Sequence, residues 1–229
     1  TQTDHRYCGT VYKSALLQEL GNEGGIIMRV NSEKWEYGGL YKKYDMDDII
    51  RVGTGEVKVH DIYEDIPAFM KKADCLFVDP PCSVGNLKCF YTKADRHDYR
   101  DKYEPFVDRL FTYIDEIQPK YVYIEVFASN RDLIMEKCRE RFDSVHIDDS
   151  FYYHSRKNKC WIVRAGSEEA PHPDKIIDEE HYIRWICNNV DYGCIADPCM
   201  GRGLVGFYSN QAGKTFVGTE LNKKRLAVL

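Results

Sequence analysis

The sequence predicts an α/β fold, a doubly wound and mostly parallel sheet with helices on both faces. Three observations carry this. From Val57 onward, short apolar runs alternate with segments of helical period, the pattern of successive β and α elements. The segment "GCIADPCMGRGLVGFYSNQAGKTFVGTELNKKRL" reads as strand, glycine turn, helix, strand and acidic turn. The length, 229 residues, suits one such domain with a small appendage.

Residues 1–55 carry the weakest signals. "VYKSALLQEL" reads as a short helix closed by Gly21, "GGIIMRV" as a strand, and "EKWEYGGLYKKYD" as an aromatic, basic segment around a Gly-Gly turn. This stretch is expected to form an N-terminal extension, with 56–229 as the main domain. There "VKVHD" is a strand, "IPAFMKKA" a short helix and "DCLFVDPP" a buried strand broken by prolines. In "YRDKYEPFVDRLFTYIDEI" the residues Phe106, Leu110, Tyr113, Ile114 and Ile117 make a helical stripe. "KYVYIEVF" is a strand and "NRDLIMEKCRERF" a helix. "DSVHI" and "KCWIVRAG" are two neighbouring strands, expected to be antiparallel, across the polar "YYHSRKNK". A loop with two prolines leads to the helix "DEEHYIRWICNNV".

Composition is that of an ordinary water-soluble chain, with 43% hydrophobic and 30% charged residues. No apolar run approaches the roughly 18 residues of a membrane span, and no signal peptide is visible. The chain opens at "TQTDHRY" without Met, so its natural start is expected further upstream. The net charge of −5 does not advertise a nucleic-acid partner, although a local basic face suffices for phosphate contact. Nine cysteines, an odd number without a CxxC pair, are expected to be reduced thiols of a cytoplasmic protein, with no metal site.

Two constellations carry chemistry. In the C-terminal one, Asp197 ends a strand and Gly201 and Gly203 form the turn that opens a helix. Glu220 ends the next strand. Glycines let backbone approach a ligand, a helix N-terminus offers N–H groups, and an acid at the following strand end accepts the hydrogens of a ribose diol. The third glycine of pyrophosphate-binding turns is missing. The pattern therefore suits a nucleoside cofactor without phosphates, for which S-adenosylmethionine (SAM) is the candidate. The turn's N–H groups and Asp197 are expected to meet its carboxylate and ammonium.

The second constellation is "VDPPCS". Together, "ADPCMGRGLVGFYSNQAGKTFVGTELNKKR" and "VDPPC" resemble the cofactor and target motifs of DNA amino-methyltransferases, Asp-Pro-Phe-x-Gly-x-Gly with Gly-x-Glu-x-x-x-x-Arg, and Asp/Asn/Ser-Pro-Pro-aromatic. Target motif before cofactor motif is the permuted order of the β class, and the resemblance covers about residues 57–229. It implies a class I SAM-dependent methyltransferase fold with circularly permuted motifs. It also implies cofactor contacts from Asp61, Asp197, Pro198, Gly201, Gly203 and Glu220, with helix 179–190 walling the methionine end. Asp79 and the Pro80 carbonyl, held by Pro81, would accept the two hydrogens of an exocyclic amine and orient it toward the methyl group. The base must be flipped out or already single-stranded.

The chain departs from the family where an aromatic residue would stack on the base, because Cys82 stands there. Phe90, Tyr91, Tyr152 and Tyr153 are the candidates to compensate. Pro-Pro-Cys also resembles cytosine-C5 methyltransferases, whose Cys attacks ring carbon 6, and Glu125 ends a strand where that family has its Glu. This alternative stays open, as does a catalytically silent nucleic-acid-binding subunit. Asp-Pro-Pro is commoner with adenine, which favours N6. No recognition domain is inserted beyond "GSEEAPHPDKIID", so sequence reading would be minimal, or come from residues 1–55, a second copy or another partner chain. Arg29, Lys34, Lys42 and Lys43 with Trp35 and Tyr37 form a candidate contact surface. Arg156 and Lys157, beside His154 and Lys159, are candidate phosphate contacts. Arg96, His97, Arg100 and Lys102 read as a solvated face. DNA is expected over RNA as substrate.

Overall fold

The computed structural model describes residues 37–96 and 102–229. Among these residues are eight strands: β1 (Ile50–Val52), β2 (Gly55–Val59), β3 (Cys75–Val78), β4 (Tyr121–Val126), β5 (Ser144–Phe151), β6 (Lys159–Gly166), β7 (Cys194–Asp197) and β8 (Thr215–Glu220). The α-helices are α1 (Val84–Lys93), α2 (Glu104–Ile117), α3 (Arg131–Arg139), α4 (Glu179–Asn189), α5 (Leu204–Gln211) and α6 (Lys223–Leu226).

One sheet has the order β1-β2-β8-β7-β3-β4-β6-β5. The run from β2 to β4 is parallel, while β1 pairs antiparallel with β2, and β6 pairs antiparallel with both β4 and β5. The expected doubly wound, mostly parallel sheet is therefore present, with its antiparallel pair at 144–166. Alternation along β3 shows how it is covered. Leu76 and Val78 enter one apolar core with α2, and Cys75 and Phe77 enter the other with α4. The stripe on α2 is buried as its spacing requires.

Helix α1 has no counterpart among the elements expected from the sequence. Only Leu87 and Tyr91 are buried on it, one turn apart, so its apolar stripe is too narrow to announce a helix. Ser83 starts it, accepting the Asn86 N–H at 3.3 Å. "IPAFMKKA" is a 3-10 helix, Ala68–Lys72. β1 lies on the N-terminal side of the 55/56 division and forms a hairpin with β2 across Gly53, at φ 54°.

Strand order reverses between β7 and β3, which opens a crevice at their C-terminal ends. The registers pair Val59 with Glu220, Asp197 with Gly218, Leu76 with Ala196 and Val78 with Ile124. The C-terminal rim consequently presents Asp61, Glu220, Asp197, Asp79 and Glu125, in that spatial order.

Candidate active site

Ten candidate residues singled out from the sequence line this crevice: Asp61, Asp197, Pro198, Gly201 and Glu220, expected at the cofactor, and Asp79, Pro81, Phe90, Tyr91 and Glu125.

The glycine turn needs its glycines. Gly201 and Gly203 adopt φ of 58° and 83°, where side chains are strained. A Cβ at Gly201 would lie 2.8 Å from Arg225 Nη2, and one at Gly203 2.5 Å from Leu229 Cδ1. Glu220 is gripped at both oxygens: Oε2 accepts the Gly201 N–H at 2.7 Å and Oε1 the Asn222 N–H at 2.9 Å. Each oxygen keeps a lone pair for a ligand hydroxyl. Asp197 accepts the Cys199 N–H at 3.1 Å. Burial holds the Asp197 carboxyl well above the usual range, with Asp79 and Glu220 adding to it, and burial likewise raises Glu220. A cationic group beside these acids would relieve both.

The expectation that the turn's N–H groups meet a carboxylate needs correction. Those of Cys199, Met200, Gly201 and Gly203 are engaged within the protein, on Asp197, Thr219, Glu220 and Met200 respectively. The cations in the crevice wall are Arg202 and Arg225. Arg225 stands at the Arg position of the Gly-x-Glu-x-x-x-x-Arg motif, and its guanidinium lies 5.0 Å from the half-buried Phe90 ring.

On the other side the Asp-Pro-Pro loop is pinned at the backbone. The Tyr103 hydroxyl donates to the Pro81 carbonyl at 2.5 Å, and Asn130 Nδ2 donates to the same hydroxyl oxygen at 3.0 Å. Ser129 Oγ donates to the Cys82 carbonyl at 2.8 Å, and the Cys82 N–H donates to Asn86 Oδ1 at 3.2 Å. Among the described residues none donates to the Pro80 carbonyl, while its two successors are occupied. Asp79 is exposed on the crevice floor. Cys82 is half-buried and does not line the crevice. Burial and then Asp79 push its thiol up, away from the thiolate a nucleophile needs.

Tyr91 differs from the expectation of a base-stacking ring. It is 3% exposed, and its hydroxyl donates to Asp61 Oδ1 at 2.6 Å. The Tyr63 N–H reaches the same oxygen at 3.1 Å. Arg96 belongs here too and is not a solvated bystander, since its Nη1 lies 3.7 Å from Asp61 Oδ2.

Tyr153, Arg156 and Lys157 sit in the β5–β6 turn, outside the crevice lining. Tyr153 packs on Tyr152 at 4.5 Å between ring centroids, and Arg156 lies 5.6 Å from the Phe151 ring. His154 of this turn bonds Asp178, which caps α4 by accepting the His181 N–H at 2.9 Å. His154, Asp178 and His181 form a group with the side chains to hold a metal ion. His181 Nδ1 is 2.5 Å from Asp178 Oδ1, a direct hydrogen bond, whereas two ligands of one zinc ion stand about 3.4 Å apart. The group is therefore a clamp joining the turn to α4. Of the N-terminal contact candidates, Arg29, Lys34 and Trp35 fall outside the described residues, as do His97 and Arg100. Lys42 and Lys43 are exposed.

Sequence reasoning did not single out Glu179, the first residue of α4, which lines the crevice with its Oε2 buried and unpartnered. It also passed over Tyr103, Asn130 and Ser129. Among the described residues no disulfide joins one cysteine to another, and no described helix is long and apolar enough to cross a membrane.

No protein-family model and no curated protein sequence matches the chain. Among solved structures, that of M1.HpyAVI is similar with a TM-score of 0.50 at 15% identity, over 76% of this chain and 96% of that one. The M1.HpyAVI–SAM complex gives a TM-score of 0.52 at 12% identity, over 76% and 97%. The chain shares the fold of M1.HpyAVI, a doubly wound sheet whose switch point here carries the acidic crevice.

Proposed function

We propose that the protein transfers a methyl group from SAM to an exocyclic amine of a nucleic-acid base, adenine N6 in DNA. The observation that carries this reading is the meeting of the two motifs in one crevice. Asp79 follows the end of β3 and lines the crevice, beside the Asp197 strand end of β7 and the glycine turn that follows it. The residues suit the cofactor. Glu220 would hold the ribose diol, Asp197 the ammonium and Asp61 the adenine, and M1.HpyAVI, of the same fold, was solved with SAM. Bound there, SAM supplies an electrophilic methyl group on a sulfonium.

An aromatic exocyclic amine is a weak nucleophile because its lone pair is delocalised. Asp79 and the Pro80 carbonyl would draw both N–H groups out of the ring plane and aim the nitrogen. Held in line with the methyl group, the nitrogen would form the N–C bond as the C–S pair passed to sulfur, and Asp79 or water would take the amine proton that leaves. Adenine is favoured over cytosine by Asp rather than Ser before Pro-Pro. The attack on a cytosine ring would need Cys82 in the crevice as a thiolate, and its position and raised thiol pKa speak against that. With no recognition insert, DNA sequence reading would be minimal or come from residues 1–55 or a partner chain.

The test is transfer of tritium from labelled SAM to mixed-sequence DNA and RNA, followed by nucleoside mass spectrometry. N6-methyldeoxyadenosine is expected. 5-Methylcytosine would make Cys82 the nucleophile, and SAM binding without product would indicate a silent subunit.

A further inference from the structure

Glu125 near the end of β4 and Glu179 at the start of α4 have no part in the reading above. Each is 3% exposed and each lines the crevice. The parallel register pairs Val78 with Ile124, so Asp79 and Glu125 follow on neighbouring strand ends about 5 Å apart. Phe77 and Tyr123 face α4, and alternation turns Asp79 and Glu125 the same way. Glu179 enters from that helix. Its Oε2 is fully buried without a hydrogen-bond partner, an uncommon condition that an incoming ligand would end.

Three carboxyls gathered at one end of a crevice do not all ionise. Burial, then Asp79 and Glu179, push Glu125 well up. Burial, then Asp178 and Asp79, push Glu179 up to about 8. The compartment therefore retains protons at neutral pH, and a protonated carboxyl donates as well as accepts. An aminated base offers the complement, an unprotonated ring nitrogen next to its amine: N1 of adenine or N3 of cytosine.

We propose that Glu179, backed by Glu125, is a recognition residue for the target base, its carboxyl O–H donating to the ring nitrogen adjacent to the amine that Asp79 holds. This rests on the methyl-transfer reading. It gives the site a second hydrogen-bonding edge and compensates for the aromatic ring missing at Cys82.

The experiment compares oligonucleotides carrying adenine and 1-deazaadenine, which keeps the amine and lacks N1. On adenine, Glu179→Leu is expected to lower kcat/KM about ten- to hundredfold, while Glu179→Gln, whose amide still donates, keeps most of the activity. The wild-type protein is expected to lose the same factor on 1-deazaadenine, and Glu179→Leu to lose nothing further there. SAM affinity by calorimetry stays unchanged. Equal losses by Glu179→Leu on both oligonucleotides would overturn the proposal. Weakened SAM binding without a base effect would overturn it too, by placing Glu179 on the cofactor. If the product is N4-methylcytosine, 3-deazacytosine makes the same comparison. A wild-type protein that methylates neither base overturns the methyl-transfer reading itself, before any variant is measured.

Discussion

The Gly201 N–H donates to Glu220 Oε2 across 2.7 Å and joins the glycine turn after β7 to the end of β8. Glu220 is thus aimed before any ligand arrives. Glu220→Ala removes the acceptor for that N–H and for the Asn222 N–H and, on the proposed reading, for a ribose diol. SAM is expected to bind about 10–100-fold more weakly by calorimetry, the worth of one or two hydrogen bonds to a charged group. An unchanged Kd would take Glu220 out of the cofactor site.

Tyr91→Phe keeps the ring and deletes the hydroxyl that bonds Asp61. A stacking role would leave it silent. The role of holding Asp61 predicts a loss of about 1 kcal/mol in denaturant unfolding and a severalfold weaker SAM affinity, with kcat on saturating cofactor changed less.

Tyr103→Phe frees the Pro81 carbonyl and leaves Asn130 Nδ2 without its partner. The loop that carries Asp79 loosens while the cofactor side is untouched. The expected signature is kcat lowered about tenfold with SAM affinity unchanged, measured by steady-state kinetics beside calorimetry.

Glu179 gives stability a pH dependence of definite sign. Its folded-state pKa of about 8 lies above the ordinary 4.5, so the folded protein holds a proton that the unfolded chain releases. That contribution is complete below the unfolded value and is lost as pH rises toward the folded one. Glu179→Gln removes the dependence. Its melting curve against pH should be flatter between about 4.5 and 8, and above pH 8 it should exceed the wild-type protein by at least about 1.4 kcal/mol, or a few degrees in Tm. Parallel curves for the two proteins would mean that Glu179 is ionised in the fold.

The rim acids were legible because each ends or follows an apolar run and the prolines and glycines beside them mark where strands stop. The sequence put Asp79 and Asp197 each at the end of a strand, and the fold makes those two strands neighbours. What escaped depends on contacts between distant segments. Tyr91 is apolar-looking in a short stretch and is committed to Asp61 30 residues earlier. Arg96 stands among aspartates that read as a solvated face, yet it reaches Asp61. Glu179 looks like any acidic residue of a first helical turn, where it would be exposed. Only the packing of α4 over β3 and β4 buries it in the crevice. His154 read as part of a basic loop, and its partner Asp178 became visible only when the end of β5 met the start of α4.

Nucleoside analysis of DNA incubated with labelled SAM and the wild-type protein, Asp79→Ala or Cys82→Ser tests the central claim most directly. The amine reading predicts N6-methyldeoxyadenosine from the wild-type protein and from Cys82→Ser within about threefold, and a loss of at least about a hundredfold with Asp79→Ala at unchanged SAM affinity. Product that survives Asp79→Ala and disappears with Cys82→Ser would contradict it.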